Sequence, residues 1–314
     1  MSTLLVASTG GHLKELHHLH RRLAGVEGPY RWVTFDTPQS RSLLAGEEVE
    51  FVRFVGDRDA LNAVRSLGEA RRLTSDPAVE AVISTGASVA VPYIVMGRAR
   101  GLRCCYVESA ARLDGPSLSG RLLSRIPGVG LVTQCRGWAG GRWRYGGSVF
   151  DSFECAELEA AGERLDKIVV ALGTTAEAFP RIVRRLKQIV PPEAEVLWQT
   201  GNTDPAEVGV PGHYMLPERE LSEAMREADA VVCHAGVGNA LAALEVGKCP
   251  VIVPRRLAHA ELVDDHQVQI ARELGDRGLA VVAEADEVTR EDLLQASQRR
   301  VSASGAPAAL AVAA

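Results

Sequence analysis

Short apolar runs rich in Val, Ile and Leu alternate along the chain with stretches whose apolar residues recur at helical spacing. The runs fall at 4–7, 31–35, 50–54, 81–84, 103–107 and 129–132, and resume at 167–172, 195–199, 230–233, 250–253 and 279–282. Amphipathic segments lie between them, clearest at 13–23, 61–73, 179–189 and 266–274. Nearly continuous apolar strands separated by helices predict parallel sheets covered on both faces. The alternation breaks between about Gly137 and Arg164. Gly137, Gly140, Gly141, Gly146 and Gly147 cluster first, and an acidic, Ala-rich stretch from Asp151 to Arg164 follows. A linker is expected there. The predicted architecture is therefore α/β, with two Rossmann-like domains, 1–150 and 151–314, facing across a cleft. The small, Ala-rich tail 302–314 is expected to fray.

Composition narrows the function. The 314 residues include 35 Lys and Arg against 40 Asp and Glu, a net charge of −5, which argues against a nucleic-acid partner. Hydrophobic residues at 46% and charged residues at 24% exclude wholesale disorder. Aromatics at 5% leave the core to aliphatic side chains. The six cysteines show no CxxC pair and no zinc spacing, and read as reduced thiols of a cytoplasmic protein. The first residues lack the basic start of a signal peptide, and the weakly polar run 81–96 is too short to span a bilayer.

The most informative segment runs from Asp229 to Pro254 and parses as strand, Gly-rich turn, helix, Gly stop and strand. Gly236 and Gly238 remove side chains where the strand becomes a helix, so backbone N–H groups can approach a phosphate. The pattern is not the dinucleotide GxGxxG, because its last position is Leu241. Glu245 falls two turns into the helix, where a carboxylate can accept two ribose hydroxyls. A plain strand–helix connection with a surface Glu explains the same residues. After the next strand, Asp265, His266 and Gln267 open a helix. They read as capping plus a solvated face, or as donors to sugar hydroxyls.

In the first half, Ser8-Thr-Gly-Gly-His12 is a strand end, a Gly10-Gly11 turn and a helix start. His12 at the carboxyl end of the first strand occupies the ligand side of a doubly wound fold. A neutral imidazole there can take a proton from a hydroxyl, or simply bind its own loop.

At this point the residues resemble a family. Cys233-His-Ala-Gly-Val-Gly-Asn239 with Asp265-His-Gln267 is similar to the donor-binding signature of the GT-B glycosyltransferases of family 28. That family includes a two-subunit dolichol-pathway GlcNAc transferase and the peptidoglycan GlcNAc transferase. Asn239 stands for the family's Ser and Asp265 for its Asn, and both keep hydrogen-bonding capacity. Lys167-Ile-Val-Val-Ala-Leu-Gly-Thr-Thr175 resembles the start of the catalytic subunit. The first half resembles the partner subunit at Ser8–His12, Ser84-Thr-Gly-Ala87, Tyr106-Val-Glu-Ser-Ala-Ala-Arg112, Pro116-Ser-Leu-Ser-Gly-Arg121 and Gln134. Bacterial exopolysaccharide transferases carry both pieces.

The resemblance implies an inverting, metal-independent transfer from a UDP-sugar, GlcNAc-type favoured, to a hydroxyl acceptor that is a lipid-linked sugar, a polysaccharide or a small natural product. No cofactor is implied. His12 would be the base. Gly173, Thr174, Thr175, His234, Ala235, Gly236, Gly238, Asn239, Arg255, Glu245, Asp265, His266 and Gln267 would bind the donor. Gly10, Gly11, Thr85, Gly86, Glu108 and Arg112 would face the acceptor. Two other readings stand beside it: a UDP-sugar epimerase of the same fold, and a non-catalytic subunit that binds UDP-sugar. Three further features read as structural. His17, His18 and His20 lack a third ligand for metal. Glu108 with Arg112 has the spacing of an i,i+4 ion pair. The cluster Arg136, Trp138, Arg142, Trp143, Arg144 and Tyr145 reads as a solvated linker with packed tryptophans, the alternatives being peripheral contact with the inner membrane face or an acceptor phosphate.

Overall fold

The computed structural model describes residues 1–26, 28–56, 60–158, 165–262, 265–305 and 309–311. The chain separates into two compact units, Met1–Val149 and Phe150–Gly305, and the C-terminal end returns to the first.

In the first unit the strands are β1 Ser2–Ala7, β2 Tyr30–Phe35, β3 Glu48–Val52, β4 Val79–Gly86, β5 Arg103–Val107, β6 Val129–Thr133 and β7 Trp143–Tyr145. They form one sheet in the order β3-β2-β1-β4-β5-β6-β7, parallel throughout. In the second unit they are β8 Lys167–Ala171, β9 Glu195–Gln199, β10 Gly212–His213, β11 Ala230–His234, β12 Val251–Val253 and β13 Val281–Val282. Their order is β10-β9-β8-β11-β12-β13, again all parallel. Counted within each unit, the first sheet runs 3-2-1-4-5-6-7 and the second 3-2-1-4-5-6, the doubly wound order of dinucleotide-binding folds with one added edge strand in the first. Each therefore has a switch point, where connections leave in opposite directions: β1/β4 in the first and β8/β11 in the second.

Burial explains why these segments are strands. Every residue of β1 and of β11 is buried, as a central strand covered on both faces requires. Helices cover them with apolar stripes. Pro180–Ile189 starts on Pro at its first turn and buries Ile182, Val183 and Leu186, each contributing about 1.5–3 kcal/mol.

Every apolar run named above overlaps a strand, with 50–54 and 279–282 running past theirs by two residues, and the expected linker is where the structure differs most. Residues 159–164 of it lie outside the described residues. The glycine-rich part is not a linker, because Trp143–Tyr145 adds a strand to the sheet edge. Trp143 packs edge-on against Tyr106 and Trp138 at 6.2 and 5.1 Å. Arg142 donates to the carbonyls of Ile126 and Val129 at 2.9 and 3.1 Å, and Arg136 lies over the Tyr145 ring at 4.3 Å. The tail also differs from expectation. Arg299–Ala303 pairs antiparallel with Phe153–Glu157, and Leu310–Ala311 pairs with Leu23–Ala24 in the first unit. Leu310 is fully buried there, and that contact holds the tail.

Candidate active site

In the second unit the end of β8 continues into the loop Leu172-Gly173-Thr174-Thr175. The end of β11 continues through Ala235 and Gly236 into the helix Val237–Glu245. The His234 ring fills the space between them. A Cβ on Gly173 would lie 2.5 Å from His234 Cε1, and one on Gly236 would lie 2.8 Å from the same atom. Both glycines are thus required by the imidazole, and Gly173 also by its φ of +72°. Gly201 is required in turn, since a Cβ there would collide with the Gly173 carbonyl.

Asn239 donates to the Ala171 carbonyl at 2.8 Å and sits 3.3 Å from His234 Nδ1. In the tautomer protonated on Nε2, Nδ1 accepts from Asn239 and Nε2 is left to donate. Burial pushes the His234 pKa down to about 3, and the charge of Arg255 acts the same way. The ring is therefore neutral, and since Nδ1 also lies 3.4 Å from the Ala171 carbonyl, Nε2 donates only in the tautomer that leaves Nδ1 to accept.

The helix beside it has no side-chain cap at its start, and its first internal bond is from Ala240 N–H to the Gly236 carbonyl. The N–H groups of Val237, Gly238 and Asn239 have no acceptor within the helix and mark its positive end. The Thr175 hydroxyl, in the facing loop, is buried without a hydrogen-bond partner among the described residues. At the far end, Gly247 N–H bonds Leu244 O and Lys248 N–H bonds Ala243 O, closing a Schellman cap. Glu245 is the exposed last helical residue, on the same face as Gly238 and about 10 Å further along the axis.

Arg255 is placed differently from the expected diphosphate ligand. Its guanidinium is fully buried and donates to the carbonyls of Glu177 at 2.8 Å and Leu172 at 3.0 Å, with Glu261 O at 3.4 Å. Burial lowers its pKa to about 10. It ties the Gly173 loop to the loop after β12, while its Nε is buried without a hydrogen-bond partner among the described residues. Gln267 Oε1 accepts Arg255 N–H at 3.0 Å, which leaves its amide NH2 to donate. Asp265 occupies the N-cap position, but its carboxylate binds Leu257 N–H at 3.0 Å instead of capping the helix. His266 is the first helical residue and half-buried. A cavity of about 350 Å³ lined by Arg181, Arg256, His259, Asp265, Glu284 and Asp286 touches only Asp265 of the candidate residues, and its charges are largely paired.

The first unit repeats the design at β1/β4. Ser8 N–H donates to Gly86 O at 2.8 Å, and Ala87 N–H donates to Ser8 Oγ at 3.2 Å, which locks the two strand ends together. Thr85 is fully buried and donates to the His12 carbonyl at 2.8 Å. Gly10, at φ 79°, is the residue before the helix Gly11–Leu19. His12 is half-buried with its ring over Gly86, where a Cβ would meet His12 Cε1 and Tyr106 Oη both at 3.2 Å. Tyr106 Oη donates to Glu108 at 3.3 Å. Glu108 is buried and also accepts Ser117 N–H and Oγ, each at 2.9 Å. Burial raises its pKa. Ser109–Arg112 form a turn closed by Arg112 N–H to Ser109 O at 3.0 Å, so the two charges do not share a helix, although the charge of Arg112 still opposes the rise that burial gives Glu108. The first unit thus gathers His12, Gly10, Thr85 and Gly86 at its switch point, while Glu108 and Arg112 leave from the end of β5. Sequence reasoning missed Gly201, Tyr106 and Glu15. Tyr106 stands in the segment that resembles the partner subunit, and nothing local marks Gly201 or Glu15.

His17 and His20 stack against Trp32 at 5.7 and 5.3 Å, as an aromatic cluster does. Among the described residues, no group of three or more His, Cys, Asp or Glu is placed to hold a metal ion. No described helix is long and apolar enough to cross a membrane.

Comparison with known proteins adds the likeness of the whole chain. Residues 168–312 match the glycosyltransferase family 28 C-terminal domain. The UDP-N-acetylglucosamine–N-acetylmuramyl-(pentapeptide) pyrophosphoryl-undecaprenol N-acetylglucosamine transferase of Shewanella amazonensis is 27% identical over 320 aligned residues, covering 92% of this chain and 85% of that protein. The UDP-N-acetylglucosamine transferase subunit ALG13 of Yarrowia lipolytica is 41% identical over 70 residues, 22% of this chain and 34% of that one. Among solved structures, MurG of Acinetobacter baumannii shares the fold, with a TM-score of 0.54 at 19% identity over 94% of this chain and 89% of that one. Two doubly wound units, the matched C-terminal domain and this near full-length similarity show a glycosyltransferase of GT-B fold whose second half carries the family-28 C-terminal domain.

Proposed function

We propose that the protein moves a sugar of GlcNAc type from a UDP-sugar to a hydroxyl acceptor, with inversion and without a metal ion. One observation carries the donor half. The uncapped start of Val237–Glu245 lies beside a neutral imidazole, and the loop on the other side of that ring carries the Thr175 hydroxyl, buried without a hydrogen-bond partner among the described residues. Such a site answers an anion with dipoles and N–H donors. The GlcNAc preference rests on the names of the relatives.

In the proposed reaction His12 takes the proton of the acceptor hydroxyl, and the oxygen attacks the anomeric carbon. The bond from that carbon to the diphosphate oxygen breaks, and its electron pair leaves with UDP. The N–H groups of Val237, Gly238 and Asn239, with His234 Nε2–H, receive the developing charge. Glu245 accepts the ribose hydroxyls, and the Gln267 amide donates to the sugar. Arg255 and Asn239 act through the loops they hold. An acceptor carried on a lipid would bring the protein to a membrane surface peripherally.

Calorimetry of the intact chain with UDP, followed by a donor screen of UDP- and TDP-sugars with and without chelator, tests the reading. Binding of UDP and turnover unaffected by chelation are expected. No uptake of UDP, or activity lost on chelation and restored by magnesium, refutes it. Interconversion of donor sugars without an acceptor would select the epimerase reading instead.

A further inference from the structure

Glu15 sits three residues after His12 on the helix Gly11–Leu19, is fully buried, and takes no part in the reaction above. A carboxyl removed from water must be answered by donors. Its Oε1 accepts Ala110 N–H at 2.7 Å and Gln134 Nε2 at 2.5 Å. Its Oε2 is buried with no hydrogen-bond partner among the described residues. Gln134 carries the contact onward. Its Nε2 also donates to the Glu108 carbonyl at 3.0 Å, and its Oε1 accepts Val149 N–H at 2.7 Å. Ala110 lies in the turn that presents Arg112, and Val149 is where the chain leaves the first unit. One carboxyl therefore joins the helix of His12, the turn of Arg112 and the exit of the chain.

We infer that Glu15 is a positioning residue that holds the acceptor-side turn 108–112 in place against the helix carrying His12. This rests on the transferase reading only for the role of His12; the contact itself does not.

Ala110 and Gln134 donate to Oε1 within hydrogen-bond distance and no group does so to Oε2, with the Ser109 side chain close by, an incomplete set of donors for a buried charge. Burial pushes Glu15 up to about 7, Glu108 adds to the rise, and the donors Ala110, Gln134 and Ser109 oppose it. The titratable groups that act on it from neighbouring elements are Glu108 on the turn and Tyr106 on β5.

The test uses the full chain. In wild type, the Ala110 amide and Gln134 side-chain amide resonances should titrate together with a midpoint near 7. In Glu15→Gln both should stay flat. In kinetics, Glu15→Ala should raise the acceptor KM about 10- to 100-fold and move the donor KM less than about 3-fold. Glu15→Gln keeps an oxygen acceptor and should recover the acceptor KM to within about 3-fold of wild type. Silent Ala110 and Gln134 resonances, an unchanged acceptor KM in Glu15→Ala, or donor and acceptor KM rising together would each overturn the inference. So would Glu15→Gln as impaired as Glu15→Ala. The titration needs no acceptor, so it reads the Glu15 contact independently of the transferase reading. A wild-type chain without turnover refutes the transferase reading instead.

Discussion

Gly236→Ala isolates one steric contact. Gly236 has φ −109° and ψ 136°, which alanine adopts freely, so no backbone strain enters. The added Cβ would stand 2.8 Å from His234 Cε1, and closer still to Nε2, where ordinary contact begins at 3.4 Å. The ring must yield by at least 0.6 Å (3.4 − 2.8). It is 7% exposed and backed by Asn239, so it has nowhere inexpensive to go. Overpacking of this kind costs about 1–3 kcal/mol, or roughly 2–12 °C in Tm for a chain of this size. The displaced ring also loses its Nε2 donor direction, so UDP affinity should fall by about 10-fold or more. A double-mutant cycle separates the causes. In a chain already carrying His234→Ala the methyl has room, and Gly236→Ala should cost less than about 0.5 kcal/mol. Scanning calorimetry of the four chains, with UDP titrations on each, reads both quantities. An equal loss of Tm in the two backgrounds would show that the imidazole is not what excludes a side chain at Gly236.

Other outcomes follow from the same geometry. Glu15 binds its proton more tightly folded than unfolded, so stability should fall as pH rises from 4.5 to about 7 and then level off, by about 3 kcal/mol in total. Urea unfolding followed by tryptophan fluorescence checks this, since Trp32, Trp138 and Trp143 all lie in the first unit; Glu15→Gln should flatten the dependence. Arg255→Met should cost about 2–4 kcal/mol because the Leu172 and Glu177 carbonyls lose their donor, and Arg255→Lys should not restore it, since one ammonium cannot span the fork. His12→Ala should lower kcat by roughly 10²–10⁴ with UDP affinity unchanged, and a near-normal kcat would remove His12 as the base. Glu245→Ala should raise the donor KM about 10-fold, and an unchanged value would reject the ribose assignment.

How far the sequence carried these conclusions depended on the physics behind each signal. Strands buried on both faces write themselves as apolar runs, so β1, β4, β8 and β11 were legible, and with them both switch points. The turns at Gly10 and Gly236 were legible because glycine marks a backbone need directly. The edge strands were not. Trp143–Tyr145 and Gly212–His213 are short and flanked by glycines or proline, and local sequence gives no sign of the neighbour they pair with. The roles of Arg255 and Asn239 were misleading for a related reason. A polar side chain beside a phosphate loop looks the same in sequence whether it faces a ligand or a backbone carbonyl, and here both face carbonyls. Glu15 was hidden most completely, since on a helix surface a glutamate is unremarkable. What distinguishes it is that Ala110 and Gln134, 95 and 119 residues away, converge on one of its oxygens. The reactive groups of each unit therefore sit where strand order dictates, while the groups that aim them are set by long-range contacts. For that reason substitution of the aiming residues, rather than of the glycine motifs, is the sharper test of how this fold builds its site.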